Sequence, residues 1–142
     1  MGTTESELRA LFDRRSQAIR TKDIELLMSL YSGDIVYFDV VPPLKYVGAA
    51  TLRARFTHWF KGWESSIQQE IRDVSISAHG DVAAAHMLIR AGGTRTGGKD
   101  VGYWVRTSNS CRRTDTTWLI THEHVSLPVD FMSGTAVMDL VP

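Results

Sequence analysis

The sequence of 142 residues contains a single cysteine, Cys111, which excludes an intramolecular disulfide bond. A chain without disulfides suits a reducing compartment, so we expect a cytoplasmic protein. The cysteine lies in the polar run S-N-S-C-R-R-T-D, and we interpret it as an inert thiol near the end of a strand. A reactive thiolate is the alternative, because the two arginines that follow could lower the thiol pKa.

An excess of charge of either sign is also absent, since 16 Lys and Arg residues balance 16 Asp and Glu residues. This balance argues against a nucleic-acid partner and against an anionic membrane surface, both of which favour basic proteins. No apolar run approaches the roughly 20 residues of a membrane-spanning helix. The first residues, M-G-T-T-E-S, lack the apolar region of a secretion signal. We therefore expect neither a nucleic-acid nor a membrane partner.

Hydrophobic periodicity, in contrast, is clear along most of the chain. The length of the chain predicts one domain over residues 1–142. The core covers about residues 5–128, and residues 129–142 carry no clear pattern. Apolar residues at helical spacing predict helices over 4–20, 24–31 and 49–61. Alternating residues predict strands over 35–41, 66–78, 82–91, 100–112 and 116–127. This order predicts an α+β fold, a cone-shaped curved antiparallel sheet closed by three N-terminal helices, and such a cone encloses a cavity.

The last predicted strand, W-L-I-T-H-E-H-V-S-L-P, is the most distinctive stretch of the sequence. Strict alternation places Trp118, Ile120, His122, His124 and Ser126 on one face. That face begins apolar and ends polar, as expected for a strand that runs from the core into a pocket. We therefore predict that His122, His124 and Ser126 line the cavity. Histidine titrates near neutral pH, so His124, near the mouth, is a candidate acid or base.

Other candidate pocket residues lie on neighbouring strands. Trp104 and Arg106 share a face of the strand 100–112, where they could bind an aromatic ring or a carboxylate. The alternative is a salt bridge from Arg106 across the sheet. His86 has small neighbours and is assigned to the same cavity. The three histidines could in principle bind a metal, but the H-x-H spacing lacks a third ligand close by, so we expect no metal and no cofactor.

Three further candidates come from the first half of the chain. Arg15 falls on the apolar stripe of the first helix, either as a cation of the pocket or as a side chain that reaches to the helix edge. Trp59 belongs to an aromatic stripe on the third helix, which is either core or the roof of the cavity. Asp39 lies near the end of the first strand, either as a general base or as a partner of an arginine.

The order of elements, together with four sequence stretches, resembles the nuclear transport factor 2-like superfamily over about residues 5–128. The stretches are K-D-I-E-L-L-M-S-L-Y-S-G-D-I-V-Y-F-D, V-G-A-A-T-L-R-A-R-F, V-R-T and the last strand. This superfamily includes ketosteroid isomerase and the SnoaL-like polyketide cyclases. In the isomerase an aspartate that matches Asp39 transfers a proton between carbons, and two acidic donors hold the oxyanion. Here Arg15 stands at the tyrosine donor's position, and no acid lies nearer than Asp100 to the position of the aspartate donor.

The resemblance implies a cofactor-independent isomerase or cyclase that acts on a small apolar or aromatic molecule with a polar group. Asp39 would be the base, with Arg106 and His124 as catalytic partners. The substrate would contact the remaining candidates, which are Arg15, Trp59, His86, Trp104, His122 and Ser126.

Two alternatives stay open. The first is a non-catalytic binding or assembly module, a homodimer through the apolar sheet face of Val101, Tyr103, Val105, Val125 and Leu127. A filled cavity with Asp39 held in a salt bridge would favour this reading. The second is epoxide opening, which requires an Asp-Arg-Asp arrangement that Asp39, Arg106 and Asp100 could supply by residue type.

Overall fold

The N-terminal part of the protein is helical in the computed structural model, which describes residues 3–142. Helix α1, Thr4–Arg20, begins at the N-cap Thr3, whose hydroxyl accepts a hydrogen bond from the backbone N–H of Ser6 at 3.1 Å. Helix α2, Ile24–Ser29, has Asp23 as its N-cap. Helix α3 follows later as Ala49–Lys61. No helix in residues 3–142 is long and apolar enough to cross a membrane.

The second helix is shorter than the predicted range of 24–31. Strand β1 spans Tyr31–Phe38, so the end of the predicted helix belongs to a strand. Tyr31 pairs with Ile120 of the last long strand, and its side chain is buried. This pairing with a distant strand overrides the local helical spacing, as tertiary contacts commonly do.

Six strands form the main sheet, in the order β2-β1-β6-β5-β4-β3. After β1 these are β2, Tyr46–Val47; β3, Gln68–His79; β4, Val82–Thr94; β5, Asp100–Thr114; and β6, Thr117–Ser126. The predicted α+β architecture is confirmed. The sheet is mixed, because β1 runs parallel to β6 while the other neighbours are antiparallel. Two short strands, β7, Val129–Asp130, and β8, Thr135–Ala136, pair in the tail.

The helices cover one face of the main sheet, which we call the inner face, and the opposite face is the outer face. Helix α1 packs against β3 and β6, and α3 packs against β1. Side chains of the inner face alternate along each strand and are buried, as Met87 and Ile89 show on β4. The hydrophobic core therefore lies between the helices and the inner face.

A β-bulge in β6 decides which side chains reach the inner face. Ser110 pairs with His122, whereas the next residue, Cys111, pairs with Ile120, so Thr121 is an extra residue in β6. One extra residue shifts the alternation of every later side chain to the opposite face. Ile120 before the bulge and Glu123 after it are both fully buried at the inner face.

Candidate functional site: a cavity on the inner face of the sheet

A cavity of about 70 Å³ lies between α1, α3 and the inner face. Helix α1 contributes Arg15 and Ile19, and α3 contributes Arg55, Phe56 and Trp59. Most of the remaining wall is apolar and comes from the long strands, namely Ile89, Ala91, Tyr103, Val105 and Val125. An apolar wall with a few convergent polar groups is the usual character of a small-molecule site.

Asp39 lies at this cavity, just after the end of β1, and forms an ion pair with Arg55. The Nε–H of Arg55 donates to Oδ2 of Asp39 at 2.7 Å, and the backbone N–H of Val40 donates to Oδ1 at 2.7 Å. The two side chains are 16% and 8% exposed for Arg55 and Asp39, respectively. The predicted base therefore reaches the cavity, but both of its oxygens already accept a hydrogen bond.

Arg15 also lies at the cavity wall, where it pairs with the fully buried Glu123. Its Nη2 donates to Oε2 of Glu123 at 2.8 Å, and its Nε lies 3.1 Å from Oε1. The Tyr31 hydroxyl donates to the same Oε2 at 2.8 Å, and the amide of Asn109 lies 3.4 Å from Oε1. Burial lowers the pKa of Arg15, but the charge and hydrogen bond of Glu123, together with Tyr31 and Tyr37, outweigh it, so that the pKa is raised.

Three tyrosines in and around the cavity carry neutral hydroxyls. Burial is the main cause that raises the pKa of Tyr31, Tyr37 and Tyr103, since a phenolate loses its hydration there. Negative charge adds to this effect at Tyr31 and Tyr37, which face Glu123. Tyr37 and Tyr103 line the cavity, so they offer hydroxyl groups and ring surface without adding charge.

Two more polar side chains of the cavity wall have buried atoms without a partner in the described part of the chain. These atoms are the hydroxyl oxygen of Thr107 on β5 and the side-chain oxygen of Gln69 on β3. Thr107 is 1% exposed and Gln69 is 9% exposed. A buried polar group without a hydrogen bond is costly, so each atom is a candidate contact for a bound molecule or water.

Six of the predicted pocket residues lie away from the cavity, so their predicted orientation is wrong. On β6, His122 and His124 pack their rings against Phe38, at centroid distances of 4.8 Å and 5.4 Å, and Nδ1–H of His122 donates to the Val36 carbonyl at 2.7 Å. Ser126 accepts a hydrogen bond from Arg106 at 3.0 Å. The cause is the bulge at Thr121, which turns these side chains to the outer face.

On the neighbouring strands β4 and β5, the predicted pocket residues also lie on the outer face. On β5 the inner positions are Val105 and Thr107, so Trp104 and Arg106 lie on the outer face, where the guanidinium of Arg72 lies 5.4 Å from the Trp104 ring. His86 pairs with Ser108 and is likewise on the outer face. Trp104 is partly exposed, whereas the smaller Val105 is buried.

The apolar face on which a homodimer was predicted is the inner face. Tyr103, Val105 and Val125 line the cavity, and Val101 and Leu127 pack against the core. Arg106 lies on the outer face, and Asp100 accepts a hydrogen bond from Thr94 at 2.7 Å. The Asp39, Arg106 and Asp100 arrangement predicted for epoxide opening is therefore not formed, because Arg106 points away from Asp39.

Arg55 and Glu123 are the two charged residues of the site that were not predicted from the sequence. A signal for Arg55 was present, because it lies three residues after Leu52 and four before Trp59 on the buried stripe of α3. Glu123 gives no such signal, because strict alternation predicts that it lies on the opposite face of the strand from Ile120. Only the bulge brings both side chains to one face.

Metal binding and thiol chemistry have little basis in the geometry. Within residues 3–142, no group of three or more His, Cys, Asp or Glu side chains is arranged to hold a metal ion. Cys111 is buried and free. Burial, together with the negative charge of Glu123, raises the pKa of Cys111 to about 12. The thiol is therefore protonated at neutral pH, in agreement with an unreactive side chain.

Comparison with known families identifies the fold and its relatives. A family model described as a SnoaL-like domain matches residues 8–130. This chain belongs to the SnoaL-like family. The resemblance to the nuclear transport factor 2-like superfamily is thereby confirmed. The residues that line the cavity all lie within the matched SnoaL-like domain.

Solved structures extend the similarity beyond that domain. A nuclear transport factor 2-like protein of unknown function from Pseudomonas putida KT2440 is 30% identical, with 99% of each chain covered and a TM-score of 0.88. A protein from Novosphingobium aromaticivorans, provisionally named an aromatic ring hydroxylase, is 21% identical over 89% of this chain and 91% of its own, with a TM-score of 0.78. A provisionally named dehydratase from Streptomyces avermitilis is 22% identical over 86% and 94%, with a TM-score of 0.74. The search among curated proteins found no match.

Proposed function

We propose that this SnoaL-like protein binds a small, largely apolar or aromatic molecule with a polar group in the inner-face cavity. The observation that carries the proposal is the composition of the wall, in which apolar and aromatic side chains surround a small number of polar ones. Burial of apolar ligand surface drives binding in such a site, and the polar groups orient the ligand.

Binding is better supported than catalysis because of the state of Asp39. A general base must bring a carboxylate oxygen to a proton of the substrate. Both oxygens of Asp39 already accept hydrogen bonds, one from Arg55 and one from the backbone N–H of Val40. Abstraction of a proton from carbon would compete with these contacts.

Proton transfer by Asp39, as in an isomerase or cyclase, is the second candidate. Its support is the position of Asp39 at the cavity wall, where the carboxylate retains lone pairs beyond the two that are used. Two similar structures carry provisional enzyme names, a hydroxylase and a dehydratase, but at 21% and 22% identity they bear on the fold alone. Turnover of enolisable ketones by the wild type, lost in Asp39→Asn, would establish this candidate.

The binding proposal is tested by filling the cavity. Ala91 lines the cavity, whereas Ala84 lies on the outer face of the same strand, so the two positions form a matched pair. We expect Ala91→Leu, or the smaller change Ala91→Val, to weaken the binding of small aromatic probes measured by ligand-observed NMR. Ala84→Leu should leave the binding unchanged. Probe binding that is insensitive to both changes at Ala91 would contradict the proposal.

We also propose a homodimer through the outer face, in which a second copy of the chain covers the partly exposed Phe38, Leu88 and Trp104. Short side chains nearby, such as Ser108 and Ser110, allow two sheets to approach closely. Light scattering that finds only monomer at micromolar concentration would contradict this. A cytoplasmic location is proposed as well, on the basis of the free thiol of Cys111.

A further inference from the structure

The charges at the cavity cancel in pairs. Arg15 is matched by Glu123, with 2.8 Å between Nη2 and Oε2, and Arg55 is matched by Asp39, with 2.7 Å between Nε and Oδ2. No other Lys, Arg, Asp or Glu lines the cavity in the described residues. The tyrosines at its wall are neutral, and burial raises their pKa values further above the ordinary value. A ligand in this cavity therefore meets no net charge.

An uncompensated charge on the ligand would be unfavourable in this setting. A carboxylate or an ammonium group loses its hydration when it enters an apolar cavity, and an opposite charge must repay that loss. Here each potential counter-ion is already engaged by a residue of the protein. A charged ligand would have to break one of these pairs and leave its partner unmatched, whereas an uncharged ligand leaves both pairs in place.

An uncharged ligand still has polar groups to meet. The hydroxyl of Thr107, which can donate and accept, and the side-chain oxygen of Gln69, which accepts, are buried in the wall without partners in residues 3–142. Both side chains are at least nine-tenths buried. A hydroxyl group can serve either atom, and a carbonyl group can accept from Thr107.

The volume of the cavity limits the size of such a ligand. A cavity of about 70 Å³ holds several atoms of the size of water. An enclosed cavity that binds benzene measures about 150 Å³, so a single aromatic ring enters this cavity with part of its surface protruding through the mouth. Apolar contacts from Phe56, Ile89 and Val105 then surround the ring.

We propose that the cavity selects uncharged molecules that carry a hydroxyl or carbonyl group on a small apolar or aromatic body, with Thr107 and Gln69 as the residues that recognise the polar group. This inference rests on the proposed binding function and adds the charge and the polar chemistry of the ligand. Phenols and small cyclic ketones fit the description, whereas aromatic carboxylates and amines do not.

Three probes of similar shape and different polarity test the inference at pH 7. Phenol is neutral and polar, toluene is apolar, and benzoate is anionic. We expect phenol to bind more tightly than toluene by about threefold to tenfold, the range of one net hydrogen bond. Benzoate should bind at least about tenfold more weakly than phenol, because its charge has no free counter-ion. Dissociation constants are measured by titration calorimetry or NMR.

Thr107→Val tests the polar contact directly, since the change is nearly isosteric and removes a hydroxyl that has no partner in the described residues. We expect phenol binding to weaken to the level of toluene, with toluene binding unchanged. Gln69→Leu is the second variant of this kind. Thr114→Val, the same change at an exposed position of β5, is the matched control and should alter neither probe.

Each outcome has a distinct meaning. Benzoate binding as tight as that of phenol would overturn the charge selection. Equal binding of phenol and toluene, unchanged in Thr107→Val and Gln69→Leu, would overturn the role of the two polar residues while the binding function stands. The absence of binding by all three probes would overturn the proposed function for single-ring ligands, and the inference with it.

Discussion

The two ion pairs of the cavity differ in what surrounds them. The Arg15–Glu123 pair is 8% and 0% exposed and takes further hydrogen bonds from Tyr31 and Asn109. The Asp39–Arg55 pair is 8% and 16% exposed and takes one further hydrogen bond, from a backbone N–H. The first pair is therefore enclosed by protein on nearly all sides, whereas the second lies at the cavity with part of its surface open.

This difference in burial affects how much each pair contributes to stability. A buried charge that loses its partner cannot recover its hydration. Loss of either Arg15 or Glu123 would therefore leave the other as an unpaired buried charge. The Asp39–Arg55 pair is partly open to water, so breaking it costs less free energy. We infer that Arg15 and Glu123 hold α1 against β6 and that the Asp39–Arg55 pair contributes less to stability.

The largest expected loss of stability comes from breaking the Arg15–Glu123 pair. Glu123→Gln keeps the size of the side chain but leaves the Arg15 guanidinium without a counter-ion. We expect the free energy of unfolding, measured with urea, to fall by about 3–5 kcal/mol. The double variant Arg15→Met with Glu123→Leu removes both charges and should be closer to the wild type than Glu123→Gln. A single variant as stable as the wild type would contradict the structural role.

The negative charge beside Cys111 offers a second test, through stability at alkaline pH. The folded-state pKa of Cys111 is raised from 9.0 to about 12, first by burial and then by Glu123. In the unfolded chain the thiol loses its proton from about pH 9 upward, while the folded thiol keeps it. The stabilisation is thus complete below pH 9 and is lost as the pH rises towards 12, at a slope on the order of 1 kcal/mol per pH unit.

Cys111→Ala should flatten this alkaline decline relative to the wild type, in unfolding measured between pH 8 and pH 10. The loss of packing caused by the smaller alanine side chain is the same at every pH, so the change in unfolding free energy with pH is compared within each protein. The buried Tyr31 and Tyr37 have raised pKa values and add a further loss of stability at higher pH in both proteins. Parallel pH profiles for wild type and variant would show that Cys111 is not protected as described.

Breaking the pair at the cavity should have the smallest effect on stability. Arg55→Met removes the counter-ion of Asp39. We expect the free energy of unfolding, measured with urea, to fall by about 1–2 kcal/mol, a value between those typical of exposed and buried ion pairs. The same variant should admit a cationic probe, since Asp39 is then unmatched. A loss of stability as large as that in Glu123→Gln would erase the distinction between the two pairs.

The local elements of the fold were predictable because their signals are local. The bounds of α1 and α3 agree with the predicted ranges of 4–20 and 49–61, since helical spacing of apolar residues extends over their whole length. The long strands β3 to β6 agree within a few residues because tight turns separate them. The parallel pairing of β1 with β6 has no local signal, since it joins segments at opposite ends of the chain.

The site was predicted less well because it depends on which face of each strand is turned inward. Asp39, Arg15 and Trp59 reach the cavity as predicted, since strand ends and helical stripes indicate their direction. His122 and His124 do not, since the bulge at Thr121 is a property of the pairing between β5 and β6. His86 and Arg106 do not either, although their strands pair without a register shift. Alternation within one strand gives two equivalent faces, and only packing against the helices selects one.

The central claim is that ligand binding occurs at the inner face and not at the outer face of the histidines. The most direct measurement is a titration of the isotope-labelled protein with phenol, followed by backbone amide shifts in two-dimensional NMR. The account predicts saturable shifts at cavity residues, among them Ile89, Thr107 and Val125, and none around His86 and His124. Shifts confined to the outer-face histidines, with the cavity residues unchanged, would contradict it.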